Sequence, residues 1–164
     1  MPKKIGILMG SFNDWEAVRP AADLLRSMGI PFEAHVCSAH RTPAQAAAFA
    51  SNARVNGFGA LIAAAGLAAH LAGALAAQTT LPVIGIPMKG ALEGLDALLS
   101  TAQMPPGIPV ATVAVNGAYN AAMLAAQILG VEDPEIAAAL DAQRAKMREG
   151  VLEKDRELQS MLNA

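Results

Sequence analysis

The chain has 164 residues, a formal net charge of −2, and 12 Lys and Arg residues that form no basic cluster. This balance argues against nucleic acid or an anionic membrane as partner, because both need concentrated positive charge. Its 54% apolar share, much of it Ala, with only 16% charged residues, favours close helix packing and contacts between copies, so we expect a homo-oligomer. A lone cysteine, Cys37, excludes an internal disulfide framework and predicts a cytoplasmic protein.

Short apolar runs alternate with helical patterns along the whole chain. In chain order, the pattern predicts strand 5–9, helix 14–28, strand 32–37, helix 43–56, strand 60–64, helix 68–77, strand 82–87, a helical segment 92–99, strand 110–115 and helix 120–129. Strict alternation of this kind predicts an α/β fold with a parallel sheet covered on both faces. We expect one domain over residues 1–164 and no membrane span.

The C-terminal segment differs from the rest because charges cluster there. Apolar residues recur in it at helical or heptad-like intervals, at Ile136, Leu140, Met147, Val151 and Leu158. This spacing predicts an extended helix at about 134–162. Its length and late position favour packing on a neighbouring subunit over packing on its own domain.

Polar residues follow the first strand, where ligands of a parallel sheet bind. Gly10 allows close backbone approach, Ser11 offers a hydroxyl, and the following helix N-terminus favours a phosphate. Asp14 could accept two hydrogen bonds from sugar hydroxyls. The alternative is that Ser11 and Asp14 merely cap the helix.

The loop after the second strand carries a stronger signal. Arg41 can clamp a phosphate with two hydrogen bonds, and its neighbour His40 can move a proton near neutral pH. If His40 stood alone, a purely structural role would remain open for it. His35, inside the strand, is predicted to be packed or exposed.

The loop at 65–71 adds small residues and His70 to the same edge of the sheet. His70 could act on a ligand, or it could simply be a histidine at the start of a helix. Two spaced histidines without a Cys, Asp or Glu cluster predict no metal site, and the dinucleotide and P-loop signatures are absent from the sequence.

Several motifs in this order make the chain recognisable: MGSFNDW at 9–15, SAHRTP at 38–43, AGLAAHLAG at 65–73, GIP at 85–87 and the run 95–115, which contains QMPPGIPVATVAV. Together they resemble the N5-carboxyaminoimidazole ribonucleotide mutase family of purine biosynthesis, also known as the catalytic subunit of phosphoribosylaminoimidazole carboxylase. The AHRTP and AAHL forms resemble the class that uses the N5-carboxylated substrate.

The resemblance implies a flavodoxin-like three-layer α/β/α sandwich, assembled as an octamer with active sites at subunit contacts. It implies an isomerase that moves a carboxyl group from N5 to C4 of a ribonucleotide, with His40 as general acid/base and no metal, nucleotide or organic cofactor. His70 and the backbone of the third loop would hold the migrating CO₂. Residues that the resemblance assigns to substrate binding are Ser11, Asp14, Ser38, Ala39, Arg41, Gly66, Ala69 and Leu71.

Some positions depart from the family pattern, namely Asn13, Ala72, Ala97 and a short 116–120 segment. None of them removes a proposed catalytic group. Two rival functions remain open: a carboxylase that uses CO₂ directly, which the motifs disfavour, and a non-catalytic ribonucleotide-binding assembly module. Such a module would be expected to lose His40, which this chain retains.

Overall fold

A computed structural model describes residues 3–163, so residues 1, 2 and 164 of the expected domain lie outside it. A single five-stranded sheet forms its centre, in the order β2-β1-β3-β4-β5, with every neighbouring pair parallel. The strands are β1 (Lys4–Met9), β2 (Phe32–Val36), β3 (Phe58–Ala65), β4 (Val83–Pro87) and β5 (Ala111–Thr112). The predicted α/β class and flavodoxin-like order are confirmed.

Six helices connect and cover the strands. They are α1 (Trp15–Ser27), α2 (Pro43–Asn52), α3 (Leu71–Ala76), α4 (Leu95–Ala102), α5 (Ala118–Gly130) and α6 (Pro134–Leu162), with a 3₁₀ turn at Phe12–Asp14 before α1. Helices α1 and α5 pack on one face of the sheet, and α2 and α3 on the other. This is the predicted three-layer sandwich.

The alternation of side chains along each strand explains the continuous apolar runs. In β3, Ala60 and Ile62 belong to the core beneath α1 and α5, whereas Leu61 and Ala63 belong to the core beneath α2 and α3. Because both faces are covered, every position of the central strands β1, β3 and β4 is buried except Lys4 and Ala65, which are half-buried. Alanines on the helices bring their backbones close to this sheet.

Several element boundaries differ from the predicted ones. Strand β5 is two residues long instead of the predicted six, α2 ends at Asn52, and α3 begins at Leu71 rather than at 68. The late start of α3 leaves residues 66–70 as a loop, in which Leu67 has a left-handed backbone (φ +55°). The Ala68 carbonyl accepts a hydrogen bond from the His70 N–H at 2.8 Å, so residues 68–70 form a tight turn where the pattern predicted the first turn of the helix.

The predicted C-terminal helix is present as α6, with 29 residues. Asp133 begins it by accepting hydrogen bonds from the Glu135 and Ile136 backbone N–H groups. Ile136 is buried against the body of the protein, but the helix is exposed from position 144 onward. At about 1.5 Å per residue it is about 43 Å long. Among residues 3–163, no helix has the length and apolar character needed to cross a membrane.

Candidate active site

The strand order determines where a site can form. From β1 the chain passes to β2 on one side and then to β3 on the other side. A crevice opens at such a switch point beyond the carboxyl ends of the strands. A cavity of about 660 Å³ lies there, and the loops after β1, β2, β3 and β4 line it.

The loop after β1 contributes Ser11 and Asp14. Ser11 Oγ accepts a hydrogen bond from the Asn13 backbone N–H at 3.2 Å, so its own proton stays available to a ligand. Asp14 stands at the start of α1 but makes no side-chain capping bond, so the expectation that it caps this helix is wrong. Partial burial raises the pKa of Asp14 above its ordinary 3.8, and a hydrogen bond with the Ser11 backbone opposes that shift.

The loop after β2 is held by its own side chains. Thr42 Oγ1 accepts from the Ser38 N–H and donates to the Ser38 carbonyl, both at 2.9 Å. Ser38 Oγ accepts from the Arg41 N–H at 3.1 Å. The Arg41 guanidinium donates one hydrogen bond to the Gly10 carbonyl at 3.3 Å, which brings it against the first loop. Its remaining donors are free to bind an anion, since no ion pair within residues 3–163 involves Arg41.

The loops after β2 and β3 meet through two imidazoles. His40 Nε2 lies 2.6 Å from His70 Nδ1, and the rings meet edge to face with an interplanar angle of 81°. At this distance one nitrogen must donate and the other accept, so a single proton lies between the rings. Both side chains line the cavity and are exposed. This arrangement can accept and return a proton at a bound ligand.

Nine of the ten predicted site residues line this cavity: Ser11, Asp14, Ser38, Ala39, His40, Arg41, Gly66, His70 and Leu71. The tenth, Ala69, is not among the residues that line the cavity. Its methyl group is buried, and its N–H donates to Ser100 Oγ at 3.0 Å. Cys37 directly follows β2 and is buried in the core beneath α2 and α3.

Sequence reasoning missed the fourth lining segment, Met88, Lys89 and Gly90. The Lys89 N–H donates to Asn116 Oδ1 at 2.9 Å, and Asn116 itself has a left-handed backbone (φ +55°). The Lys89 ammonium forms an ion pair with Glu93. A signal was available, because these residues follow a buried strand in the same way as the three loops that were recognised.

A second, larger cavity of about 890 Å³ lies at the opposite edge of the sheet. Its cations already have partners: Lys3 pairs with Glu132, and Arg54 donates to Thr80 Oγ1. It contains none of the predicted site residues. The paired imidazoles and the free guanidinium therefore mark the smaller cavity as the candidate active site.

Comparison with known proteins shows the family of the chain. Residues 4–150 match the family described as AIR carboxylase. The chain belongs to the AIR carboxylase family. A relative named N5-carboxyaminoimidazole ribonucleotide mutase from Bacillus subtilis is 48% identical over 161 residues, covering 96% of this chain and 99% of its own length. Another of the same name from Brucella melitensis is 50% identical over 157 residues, covering 94% and 97%.

A solved structure of this family has the same fold. The crystal structure of Treponema denticola PurE superimposes with a TM-score of 0.86 at 28% identity, covering 95% of this chain and 98% of that one. The family assignment made from five short motifs is therefore confirmed, and the family's fold extends over nearly the whole chain.

The raised pKa of Asp14 gives a stability prediction. Since the folded protein holds the Asp14 proton more tightly than the unfolded chain, ionisation favours unfolding as pH rises from 3.8 through the raised pKa. We expect Asp14→Asn to have a higher free energy of unfolding than the wild type at pH 7. The difference between the two should shrink as the pH falls from the raised pKa to 3.8, because the wild-type carboxyl then becomes neutral as well. Urea unfolding at several pH values measures this.

Asp23→Asn is the matched control, because Asp23 is exposed on α1 and pairs with Arg26 at 2.8 Å. It should bring no gain in stability. Equal unfolding free energies for Asp14→Asn and Asp23→Asn at pH 7 would contradict the burial account.

Proposed function

We propose that this chain converts N5-carboxyaminoimidazole ribonucleotide to 4-carboxy-5-aminoimidazole ribonucleotide in purine biosynthesis. The observation that carries the proposal is the His40–His70 pair, which opens on the same cavity as a free guanidinium and a carboxylate. One ligand in this cavity could therefore exchange a proton with the histidines while the guanidinium binds its anionic group. The names of relatives about half identical over almost the whole chain support the same reaction.

The ribose-phosphate part of the substrate would bind between the first two loops. Arg41 offers its free N–H groups to the phosphate, with the Ser11 hydroxyl as a further donor. Asp14 would accept hydrogen bonds from ribose hydroxyls. Ser38 and Ala39 line the wall between them and His40. This orientation puts the imidazole ring of the substrate towards the two histidines.

The carboxyl transfer needs one group to act first as acid and then as base. The N5–carboxylate bond breaks, CO₂ leaves, and the bonding electron pair stays on N5, which takes a proton from the His40 imidazolium. The electron-rich C4 then attacks CO₂, giving a carbon that bears both hydrogen and carboxylate. Neutral His40 removes that hydrogen as a proton, which restores aromaticity and returns the imidazolium.

The loop after β3 would retain CO₂ between these steps. Gly66 and Leu71 line the cavity beside His70, and their small or apolar surface excludes water from the released CO₂. An imidazole suits both proton transfers because its ordinary pKa lies near neutral pH. The electron pair for the new carbon–carbon bond comes from the substrate ring, so the proposed reaction calls for no cofactor.

Two rival functions make different predictions. A carboxylase that adds dissolved CO₂ directly to C4 would use the same histidine, and the names of the relatives favour the mutase. A non-catalytic ribonucleotide-binding module would have no use for two imidazoles at 2.6 Å. Arg41 alone would serve such a module.

We expect His40→Asn to lose turnover by about 10²- to 10⁴-fold, because it removes the proton carrier. Binding of the product ribonucleotide should stay within about threefold of wild type, since Arg41 and Asp14 remain. The assay follows interconversion of the two carboxylated ribonucleotides by purified protein without ATP, and calorimetry gives the affinity. His35→Asn is the control, because His35 lies on β2 beside Glu33, outside the cavity. Normal turnover by His40→Asn would exclude the proposed role.

Arg41→Ala should instead weaken binding of the phosphorylated ligand by roughly 10- to 100-fold, as expected for lost hydrogen bonds to a charged group. Arg19→Ala, at an exposed position of α1, should leave the affinity unchanged. Equal affinities for the two variants would exclude Arg41 as the phosphate clamp.

We also propose that the 1–164 domain forms a homo-oligomer in which α6 packs on a neighbouring subunit. The resemblance to the family implies that this oligomer is an octamer. Met147, Val151, Leu158 and Leu162 recur on one side of this helix and are 43%, 70%, 51% and 71% exposed. A helix surrounded by water carries polar residues on all sides, so this stripe favours cover by another copy. Cytoplasmic location belongs to the same proposal, because the single buried Cys37 suits a reducing compartment.

Charge in the apolar stripe should break the assembly. We expect Val151→Glu combined with Leu158→Glu to elute as a smaller species in light-scattering chromatography than the wild type, which should be about 134 kDa, eight times 16.8 kDa. Ser160→Glu adds charge on the opposite side of α6 and should keep the wild-type mass. A monomeric wild type, or a double variant of unchanged mass, would contradict the proposal.

A further inference from the structure

Ser100 lies on α4, outside every predicted site segment, yet it contacts the loop that carries His70. Its Oγ accepts a hydrogen bond from the Ala69 N–H at 3.0 Å and donates to the Asp96 carbonyl at 2.8 Å. The same hydroxyl also lies 3.4 Å from the Leu67 carbonyl of the loop, a longer contact than the one to Asp96. With its proton on either carbonyl, Oγ keeps a lone pair for the Ala69 N–H, so the hydroxyl links α4 to the loop.

The 66–70 loop has few other restraints. Leu67 has a left-handed backbone and an exposed side chain, and the His70 N–H closes a tight turn onto the Ala68 carbonyl at 2.8 Å. Ala69 is 1% exposed, so water does not reach its N–H in place of a protein acceptor. Among the described residues, the acceptor for that N–H is Ser100.

This link bears on the imidazole pair because Ala69 directly precedes His70. Within residues 3–163, the hydrogen bond of the His70 ring is the one to His40, so the backbone determines where the ring stands. We propose that Ser100 is a positioning residue: by holding the Ala69 N–H, it keeps His70 Nδ1 within hydrogen-bond distance of His40 Nε2. Its effect on turnover rests on the proposed function, whereas its effect on geometry does not.

A serine in a helix often donates to the carbonyl four residues earlier without further consequence. Ser51 on α2 does this, since its Oγ donates to the Ala47 carbonyl at 2.8 Å. No hydrogen bond of the described residues ends on Ser51 Oγ. Ser51 therefore matches Ser100 in local role and lacks the link to a loop, so Ser51→Ala is the control.

The kinetic test compares Ser100→Ala with Ser51→Ala. We expect Ser100→Ala to lower kcat by about 10- to 100-fold, because small displacements of reacting groups cost about that much. KM should stay within about threefold, since the side chains proposed to bind the ribose-phosphate part, Ser11, Asp14 and Arg41, lie on the other two loops. Ser51→Ala should match the wild type in both. Wild-type kcat for Ser100→Ala would overturn the proposal, as would an equal fall in kcat for Ser51→Ala.

A structural test is independent of activity. Crystal structures of the wild type and Ser100→Ala should differ in the 66–70 loop, with the His40–His70 nitrogen distance beyond 3.5 Å in the variant. The loops at 10–14 and 38–42 should superimpose. An unchanged distance would overturn the positioning role. If the wild type lacked mutase activity, the proposed function would fail, and this comparison alone would still decide the role of Ser100.

Discussion

One hydrogen bond between two imidazoles joins the parts of this candidate site. His40 Nε2 and His70 Nδ1 lie 2.6 Å apart, a distance that allows one proton between them and excludes two. The histidines belong to loops after different strands, so the contact also fixes those loops relative to each other. The proposed chemistry depends on this contact, because it fixes the orientation of the His40 ring, which gives and takes the proton in the proposed reaction.

The sheet order makes the contact possible. Strands β2 and β3 lie on either side of β1, and their carboxyl ends bring the two histidine loops to the edge where the β1 loop also ends. The Arg41 hydrogen bond to the Gly10 carbonyl joins the first two loops. Burial of Asp14 in this crevice has a cost in stability, which the raised pKa of its carboxyl reflects. That cost is typical of groups kept for binding or catalysis.

Much of the fold follows from sequence because the three central strands, β1, β3 and β4, are short apolar runs that belong to the cores on both faces of the sheet. The site was predictable where chemistry-bearing residues directly follow a strand, as His40 and Arg41 do. Ser100 was not predictable, since a helix serine gives no sign of a hydrogen bond to a residue 31 positions away. The position of Ala69 outside the cavity lining was not predictable either, because it depends on the hydrogen bond of its N–H to Ser100. Such roles depend on tertiary packing, which no local pattern encodes.

In the proposed reaction the carboxyl group leaves and rejoins the same ribonucleotide, with the CO₂ held in the cavity between the two steps. Retention of CO₂ is tested with N5-carboxyaminoimidazole ribonucleotide labelled with ¹³C in the carboxylate, turned over by purified protein in excess unlabelled bicarbonate. Mass spectrometry of the product at short times measures the label. We predict that the C4 carboxylate keeps the ¹³C, because the released CO₂ is retained beside His70. A product carrying unlabelled carboxylate, with the ¹³C found in bicarbonate, would contradict the account.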